Sequence, residues 1–388
     1  MPRIDFETVA CERGLQDLEP EWHELFARLR RRHYFQSFDY VRLSWEHVAR
    51  ARGQELCVVV GRQSGRVVFI WPLARYRNRL LHMAEWIGGE HSHYQDVLVE
   101  DGPESGAWLD AAWKHVKETQ GVDMMWLNHM SDDAVLRPTI DRVRGVGTYV
   151  EEAPYIEWSD WSDWASYYGE RSKNLRKDLR RRRRRLEDKG QVEFNLLTTR
   201  DEVVPLLDWM FRSKTGWMER KGVRMEQGGL DTADTQAFHK AFIADACDAG
   251  VVRLGTLTVD GKVIATDLTL LYEDTLIDYI GAFDHDWDYF APGKLLQEDL
   301  LQWSRKHCKI YDFMPYGEDY KYLWAPKDAK TTTYLIPCSV WGRLTVAWRS
   351  SRIGRPVRYL QRLRLKDVPR IVRKRLIPTF KKGYRRPA

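Results

Sequence analysis

Residues 279–303 read YIGAFDHDWDYFAPGKLLQEDLLQW, and residues 311–324 read YDFMPYGEDYKYLW. A strand over 275–282 runs into a loop of alternating acids and aromatics. Ala291-Pro292-Gly293-Lys294 then opens a helix that continues to about residue 306. A strand over 309–313, a short helix near 318–323 and a last strand over 331–337 complete the unit. Upstream, 191–198 alternates as a strand, and Asp201 caps a helix over 202–221 that stops at Gly222. Thr232 or Asp234 opens another helix that ends near 248–250. Strands over 251–259 and 262–271 are joined by Asp260-Gly261, the pair favoured in tight hairpins. The order from 191 is therefore β-α-α-β-β-β-α-β-α-β.

The first half repeats that order more loosely. It predicts a strand at 3–9, helices at 19–31 and 37–51, and a hairpin of 56–61 with 66–75 through Ser64-Gly65. A strand at 94–99, a helix at 104–119, a strand at 124–128, a helix at 132–144 and a strand at 150–158 follow. No fixed-period repeat is present, so two similar topologies stand in tandem. Residues 161–189 read as one long helix between them. The expected class is α/β with mixed sheets. Its units are 1–159, a basic linker helix 160–190, a second domain 191–338 and a basic tail 339–388.

The chain has 388 residues and a net charge of +6, with 43% hydrophobic and 30% charged residues, which excludes a disordered or fibrous protein. Charge is unevenly placed. Residues 349–388 hold 15 Lys/Arg against Asp367 alone, and 171–189 hold 11 basic against 3 acidic residues. The remainder is an acidic globule of net −16. Such basic blocks suit phosphorylated cofactors, lipid headgroups or nucleic acid, or else form a solvated helix face and tail. No apolar run approaches the ~20 residues of a membrane helix, and the first residues lack an apolar signal region, so a cytoplasmic location is expected. Five scattered cysteines without a CxxC pair predict neither disulfides nor a zinc site.

The motifs in the opening stretch resemble those of the CelD-like acyltransferases, FemAB-like tandem members of the GNAT superfamily. They are a PG-x-LL helix start (Pro292, Gly293, Leu295, Leu296), then Asp312-Phe313, then Gly317-Glu318-Asp319-Tyr320-Lys321. The segment Ser172-Lys173-Asn174-Leu175-Arg176-Lys177 matches the basic run before that family's second half. The resemblance implies a tandem GNAT-like fold, acyl-CoA as co-substrate, no metal, and an amine-bearing acceptor. The pyrophosphate loop Q/R-x-x-G-x-G/A is not intact; Ala291-Pro292-Gly293-Lys294 occupies its place.

In that fold two central strands diverge, here 275–282 and 309–313, and a thioester's pantetheine arm lies in the gap. Gly293, Lys294 and Leu295 open a helix whose free N–H groups and dipole suit the cofactor's phosphates. His285, flanked by Asp284 and Asp286, is one candidate general base; Asp312 and Glu318 are alternatives, and Tyr320 a general acid for the thiolate. Asp286 and Trp287 suit a cationic amine on an apolar body, and Lys321 completes the cleft. His91, His93 and Tyr94 are acceptor-site candidates from the first half. On a strand His91 and His93 point the same way, but no third metal ligand is fixed. Ordinary hydrogen-bonded histidines and a plain polar loop are the bland readings of these motifs.

The tail alternates Trp341, Leu344 and Trp348, then Val357, Leu360 and Leu363, then Ile371, Val372 and Leu376, with arginines between. That pattern suits interfacial helices on an anionic inner-membrane surface. The expected reaction is transfer of an acyl group to a lipid amine of sphingoid-base type, or to another envelope lipid or saccharide precursor. The alternatives are a Fem-type aminoacyl-tRNA-dependent transferase, an exopolysaccharide acetyltransferase, and a non-enzymatic nucleic-acid-binding protein using Arg180 to Arg185.

Overall fold

The computed structural model describes residues 4–221, 230 and 232–350. Its first half supplies β1 (Ile4–Val9), β2 (Glu55–Gln63), β3 (Arg66–Asn78), β4 (Leu81–Trp86), β5 (Leu98–Val99), β6 (Met124–Ser131) and β7 (Val146–Glu157). The second supplies β8 (Val192–Leu197), β9 (Val252–Val259), β10 (Lys262–Tyr272), β11 (Thr275–Phe283), β12 (Ile310–Asp312) and β13 (Lys327–Pro337). The helices are α1 (Glu12–Asp17), α2 (Glu19–Arg28), α3 (Phe38–Ser44), α4 (Ser105–Thr119), α5 (Arg137–Arg142), α6 (Trp164–Glu170) and α7 (Lys173–Glu187). They continue with α8 (Arg200–Lys221), α9 (Ala233–Asp248), α10 (Pro292–His307) and α11 (Val340–Ser350).

All strands join one mixed sheet in the order β1-β2-β3-β4-β6-β13-β7-β12-β11-β10-β9-β8, with β5 beside β3. Two neighbouring pairs are parallel, β4 with β6 and β11 with β12. The halves are joined by a reciprocal exchange: β6 pairs with β13, and β12 pairs with β7. Each half's last strand thus completes the other half's sheet. Sheet and helices bury separate apolar layers, α8 and α9 on one face of the second half and α7 and α10 on the other.

Local chemistry explains these elements. Asp260 and Gly261 both take left-handed φ, 48° and 77°, as the predicted hairpin turn requires. The Thr232 hydroxyl accepts from the Thr235 N–H and starts α9.

The single helix expected over 161–189 is two. Asp163 caps α6, and Ser172 accepts from the Leu175 N–H at 3.1 Å to start α7 afresh. Two N-cap residues inside the run override its helical composition. Leu175, Leu179 and Leu186 then bury one stripe of α7.

The strand expected at 94–99 forms only at Leu98–Val99, so His91 and His93 do not share a strand face. Tyr94 takes φ 52°, and the Asp96 carboxylate turns the chain by accepting from the N–H groups of Val97, Val135 and Leu136. Strand β4 escaped the sequence reading, the helix predicted over 132–144 shrinks to α5, and the short helix near 318–323 is a 3-10 turn, Lys321–Leu323. The apolar tail positions beyond residue 350 lie outside the described residues.

Candidate active site

Strands β11 and β12 pair over three residues only, Thr275 with Ile310, Leu276 with Tyr311 and Ile277 with Asp312. There β12 ends, while β11 runs on to Phe283 against β10. From Asp278 onward one edge of β11 has lost its strand neighbour, which is the divergence the resemblance implied. The corresponding parallel pair of the first half, β4 and β6, is also three residues long. Its gap is filled by the chain itself: Asn128 Nδ2 donates to the Gly89 carbonyl at 2.8 Å, and the Gln95 N–H to the His129 carbonyl at 3.1 Å. The open slot is in the second half.

Three carboxylates gather at that slot. The Asp312 Oδ1 accepts from the Tyr94 hydroxyl at 2.8 Å and the Met314 N–H at 2.7 Å. The predicted first-half segment and the predicted Asp-Phe motif therefore meet in space. Burial raises the Asp312 carboxyl to about 6, against the lowering effect of those two donors. Asp312 also forms one wall of a cavity of about 220 Å³ at the seam between the halves, with His33, Tyr272 and Ile277.

Asp267 on β10 and Asp278 on β11 are both buried and close enough to interact, and each keeps a buried carboxylate oxygen without a hydrogen-bond partner. Burial raises both, the Asp278 charge adds to the rise of Asp267, and the fields of Lys321 and Lys214 oppose the rise at Asp278. Neither aspartate was singled out from the sequence. The signal was an acid inside each of two apolar strands, ATDLTLL and TLIDYIG, where an unpaired charge is costly.

Lys321 organises the loop after β12. Its buried Nζ donates to the carbonyls of Met314, Pro315 and Tyr316 at 3.2, 3.0 and 2.8 Å, and lies 2.6 Å from Glu318 Oε2. Met314 and Tyr316 both hold left-handed φ, 62° and 74°, at a cost on the order of 1–2 kcal/mol each for residues with a Cβ. The ammonium holds that strained loop in place. Glu318 is thereby an ion-pair partner at the rim. Tyr320 is 41% exposed with its hydroxyl near Asp278, and desolvation first, then that charge, raises its pKa and keeps it protonated.

The histidines cluster between the halves. Tyr316 Oη lies 3.3 Å from His129 Nε2, and His129 Nδ1 lies 3.1 Å from Glu151 Oε2. The His93 ring lies tilted with its centroid 4.8 Å from that of His129, and burial pushes its pKa well down. His91 is buried against Arg52 and His239; burial first, then the Arg52 charge, lowers it to about 4. His129 has no spacing signature in the sequence, because its partners come from β7 and from the loop after β12.

The helix-start candidates divide. Leu295 is fully buried, and its N–H, like that of Lys294, is used by the Ala291 carbonyl. Leu295 is thus a core residue, not a cofactor ligand. Gly293 keeps clearance around its Cα, 3.7 Å from an added Cβ to Phe283, and its N–H faces the helix start. Helix α7 packs beside it: Arg182 donates to the Tyr289 carbonyl, and Arg185 to the Tyr289 hydroxyl at 2.6 Å. Arg183 pairs with Asp299 at 2.8 Å.

His285 is not brought to Asp312. Its Nε2 lies 3.2 Å from the Ser213 carbonyl and its ring packs on Phe283, while Asp284 pairs with Lys262 at 3.0 Å. Trp287 is half-buried beside Phe290 in the α7–α10 layer, and Asp286 is exposed, so this loop is not an amine cage. Among the described residues, the metal-capable grouping is Glu19, His23 and Asp39, on the outer surface of α2 and α3.

Residues 173–322 match the family model described as acetyltransferase (GNAT) domain. No curated protein matches the sequence. Among solved structures, the C-terminal domain of a putative lysylphosphatidylglycerol synthetase from Agrobacterium fabrum is similar, with a TM-score of 0.53 and 13% identity over 86% of this chain and 95% of that one. FemX is similar at TM-score 0.53 and 11% identity, over 85% and 95%. A tandem GNAT protein from the clavulanic acid biosynthesis pathway is similar at TM-score 0.50 and 12% identity, over 87% and 99%. The match over 173–322 and the paired halves agree with the open β11–β12 slot: the chain carries a GNAT acetyltransferase domain within a tandem GNAT fold, and it is an acyltransferase.

Proposed function

We propose that the chain transfers an acyl group from acyl-CoA to a cationic amine in the β11–β12 slot. The observation that carries this reading is the convergence of Asp267, Asp278 and Asp312 on a strand edge left open by its neighbour. The free edge of β11 offers N–H groups for the pantetheine arm and the oxyanion. Gly293 at the start of α10, with Arg182 and Arg185 on Tyr289 in the turn before it, suits the phosphates. Acid-lined walls draw an ammonium group, Asp312 takes its proton, and Tyr320 protonates the leaving thiolate. The test is release of free thiol from acyl-CoA with a panel of amines. Cationic long-chain amines are expected to give the highest turnover, and absence of thiol release with every amine would sink the reading.

The favoured acceptor is a lipid amine of sphingoid-base type, reached from an anionic membrane surface. Helix α11 supports this: Val340, Trp341 and Leu344 are 59%, 69% and 55% exposed, and the +14 segment 349–388 begins at the helix's end. Among the fold relatives, one is named for a lysylated phospholipid. No helix of the described residues is long and apolar enough to cross a membrane. The full chain is expected to sediment with vesicles containing anionic lipid. Trp341→Glu with Leu344→Glu should weaken that binding about tenfold or more, from lost apolar insertion. Equal binding by the double variant would refute the role of α11.

A second reading has one observation in its favour. Lys173, Lys177, Arg180 and Arg184 line an exposed face of α7, as a Fem-type transferase would need for aminoacyl-tRNA. Competition of acyl transfer by tRNA, falling steeply with salt, would favour it.

A further inference from the structure

The contacts of Tyr316 with His129 and of His129 with Glu151 join the two halves: His129 sits at the bulge in the pairing of β6 with β13, Glu151 lies on β7, and Tyr316 follows β12. Glu151 Oε2, 3.1 Å from Nδ1, acts on the ring through its charge and favours the imidazolium, while Nε2 lies 3.3 Å from the phenol oxygen, within reach of its proton. We infer that Tyr316, backed by His129 and Glu151, is a proton relay of the acyl transfer; the inference rests on the N-acyltransferase reading above.

Acylation of an ammonium acceptor removes two protons from nitrogen and returns one to sulfur. Asp312 takes the first proton before attack. Once the N–C bond has formed, the Tyr316 oxygen takes the second while its own proton passes to His129 Nε2, and Glu151 stabilises the imidazolium. The C–S bond breaks, its electron pair stays on sulfur, and Tyr320 supplies the sulfur's proton. Asp312 releases its proton to water, Tyr320 regains one from water, and the imidazolium returns its proton to water through Tyr316. The net result is one amide, one thiol and one proton released.

The placement fits this role. Tyr316 is 46% exposed, whereas His129 is buried behind it, so the phenol is the group presented to an acceptor. Both residues hold left-handed backbone, φ 74° and 50°, a conformation that persists where surrounding contacts impose it. Lys321 imposes it at Tyr316 through the three loop carbonyls. The His93 ring and the Lys321 ammonium are the other titratable groups facing the relay. Tyr316 is the catalytic residue of the set; His129 and Glu151 position and polarise it.

The experiment begins with thiol release by the wild-type chain, which tests the acyltransferase reading itself. Given that activity, Tyr316→Phe should lower kcat about 30-fold or more, with KM for acyl-CoA within about threefold. His129→Gly should lose a similar factor and regain about tenfold on addition of imidazole, a rescue that a structural role would not show. Tyr322→Phe, which removes a different tyrosine–glutamate contact in the same region, should keep wild-type turnover. An active wild type with Tyr316→Phe at full turnover overturns the relay alone. So does a His129→Gly chain that is stabilised by acyl-CoA like the wild type but does not respond to imidazole. A wild type that releases no thiol overturns the function reading and the relay with it.

Discussion

Asp312→Asn is expected to lower kcat/KM about 10³-fold while the protein stays at least as stable as wild type near neutral pH. Asparagine keeps an oxygen for the Tyr94 hydroxyl and the Met314 N–H, so the two hydrogen bonds to Oδ1 survive. What it loses is the proton-accepting carboxylate. Wild-type kcat/KM should rise with pH through about 6, where Asp312 ionises, and that acid limb should be absent from the residual activity of the variant. Stability moves the opposite way. A carboxyl raised from 3.8 to about 6 is protonated in the folded chain over a range where the unfolded chain has already ionised. The folded state binds more protons there, so stability falls as pH rises from about 4 to about 6, by up to roughly 3 kcal/mol in all. Asparagine removes that loss. Thermal unfolding measured at about pH 5 and pH 7.5, beside the pH–rate profile, checks both signs. A variant that is inactive because it melts far lower would refute the catalytic assignment.

Lys321→Met is expected to cost both activity and stability. The ammonium meets three carbonyls and the Glu318 carboxylate, and the chain buries it almost wholly. Methionine fills the volume but leaves the Met314 and Pro315 carbonyls unpaired, at about 1–3 kcal/mol for each buried group. Glu318 is half exposed, so its lost ion pair adds little. A net loss of about 3 kcal/mol, or a few degrees in Tm, follows. Activity should fall further than this implies, about 10²-fold, because the strained loop that places Tyr316 relaxes and Asp278 loses its nearest opposing charge. Arginine should not rescue, since its planar fork does not match three converging carbonyls. Unfolding midpoints and single-turnover rates for Lys321→Met and Lys321→Arg separate the two effects; a fully active methionine variant would refute the clamp.

Much of the second half was legible in order. Its hairpin turn, the Thr232 cap and its Pro-Gly helix start are local signals, each settled within a few residues, whereas the helix expected to be capped by Asp201 begins earlier, at Arg200. Asp312 was legible as a motif residue, and His91-Ser92-His93-Tyr94 as an unusual polar run. The roles were not. His285 looked like a base because acids flank it in sequence, yet Asp284 turns to Lys262 and His285 to the Ser213 carbonyl. Leu295 looked like a phosphate-loop residue, yet its side chain faces the α7–α10 core. Asp267 and Asp278 needed the register of β10 on β11 to become a pair.

The amino-acid sequence by itself determined the element order of the second half, the open helix start and the separation of an acidic body from two basic segments. Each depends on periodicity, capping or composition, which act within a turn or a strand. Only the tertiary structure decided that β7 and β13 trade places between the halves. That exchange sets Tyr94 on Asp312 and Tyr316 on His129, partners 218 and 187 residues apart. Contacts at such separations are selected by the packing of the whole sheet, and no local pattern of residues encodes them.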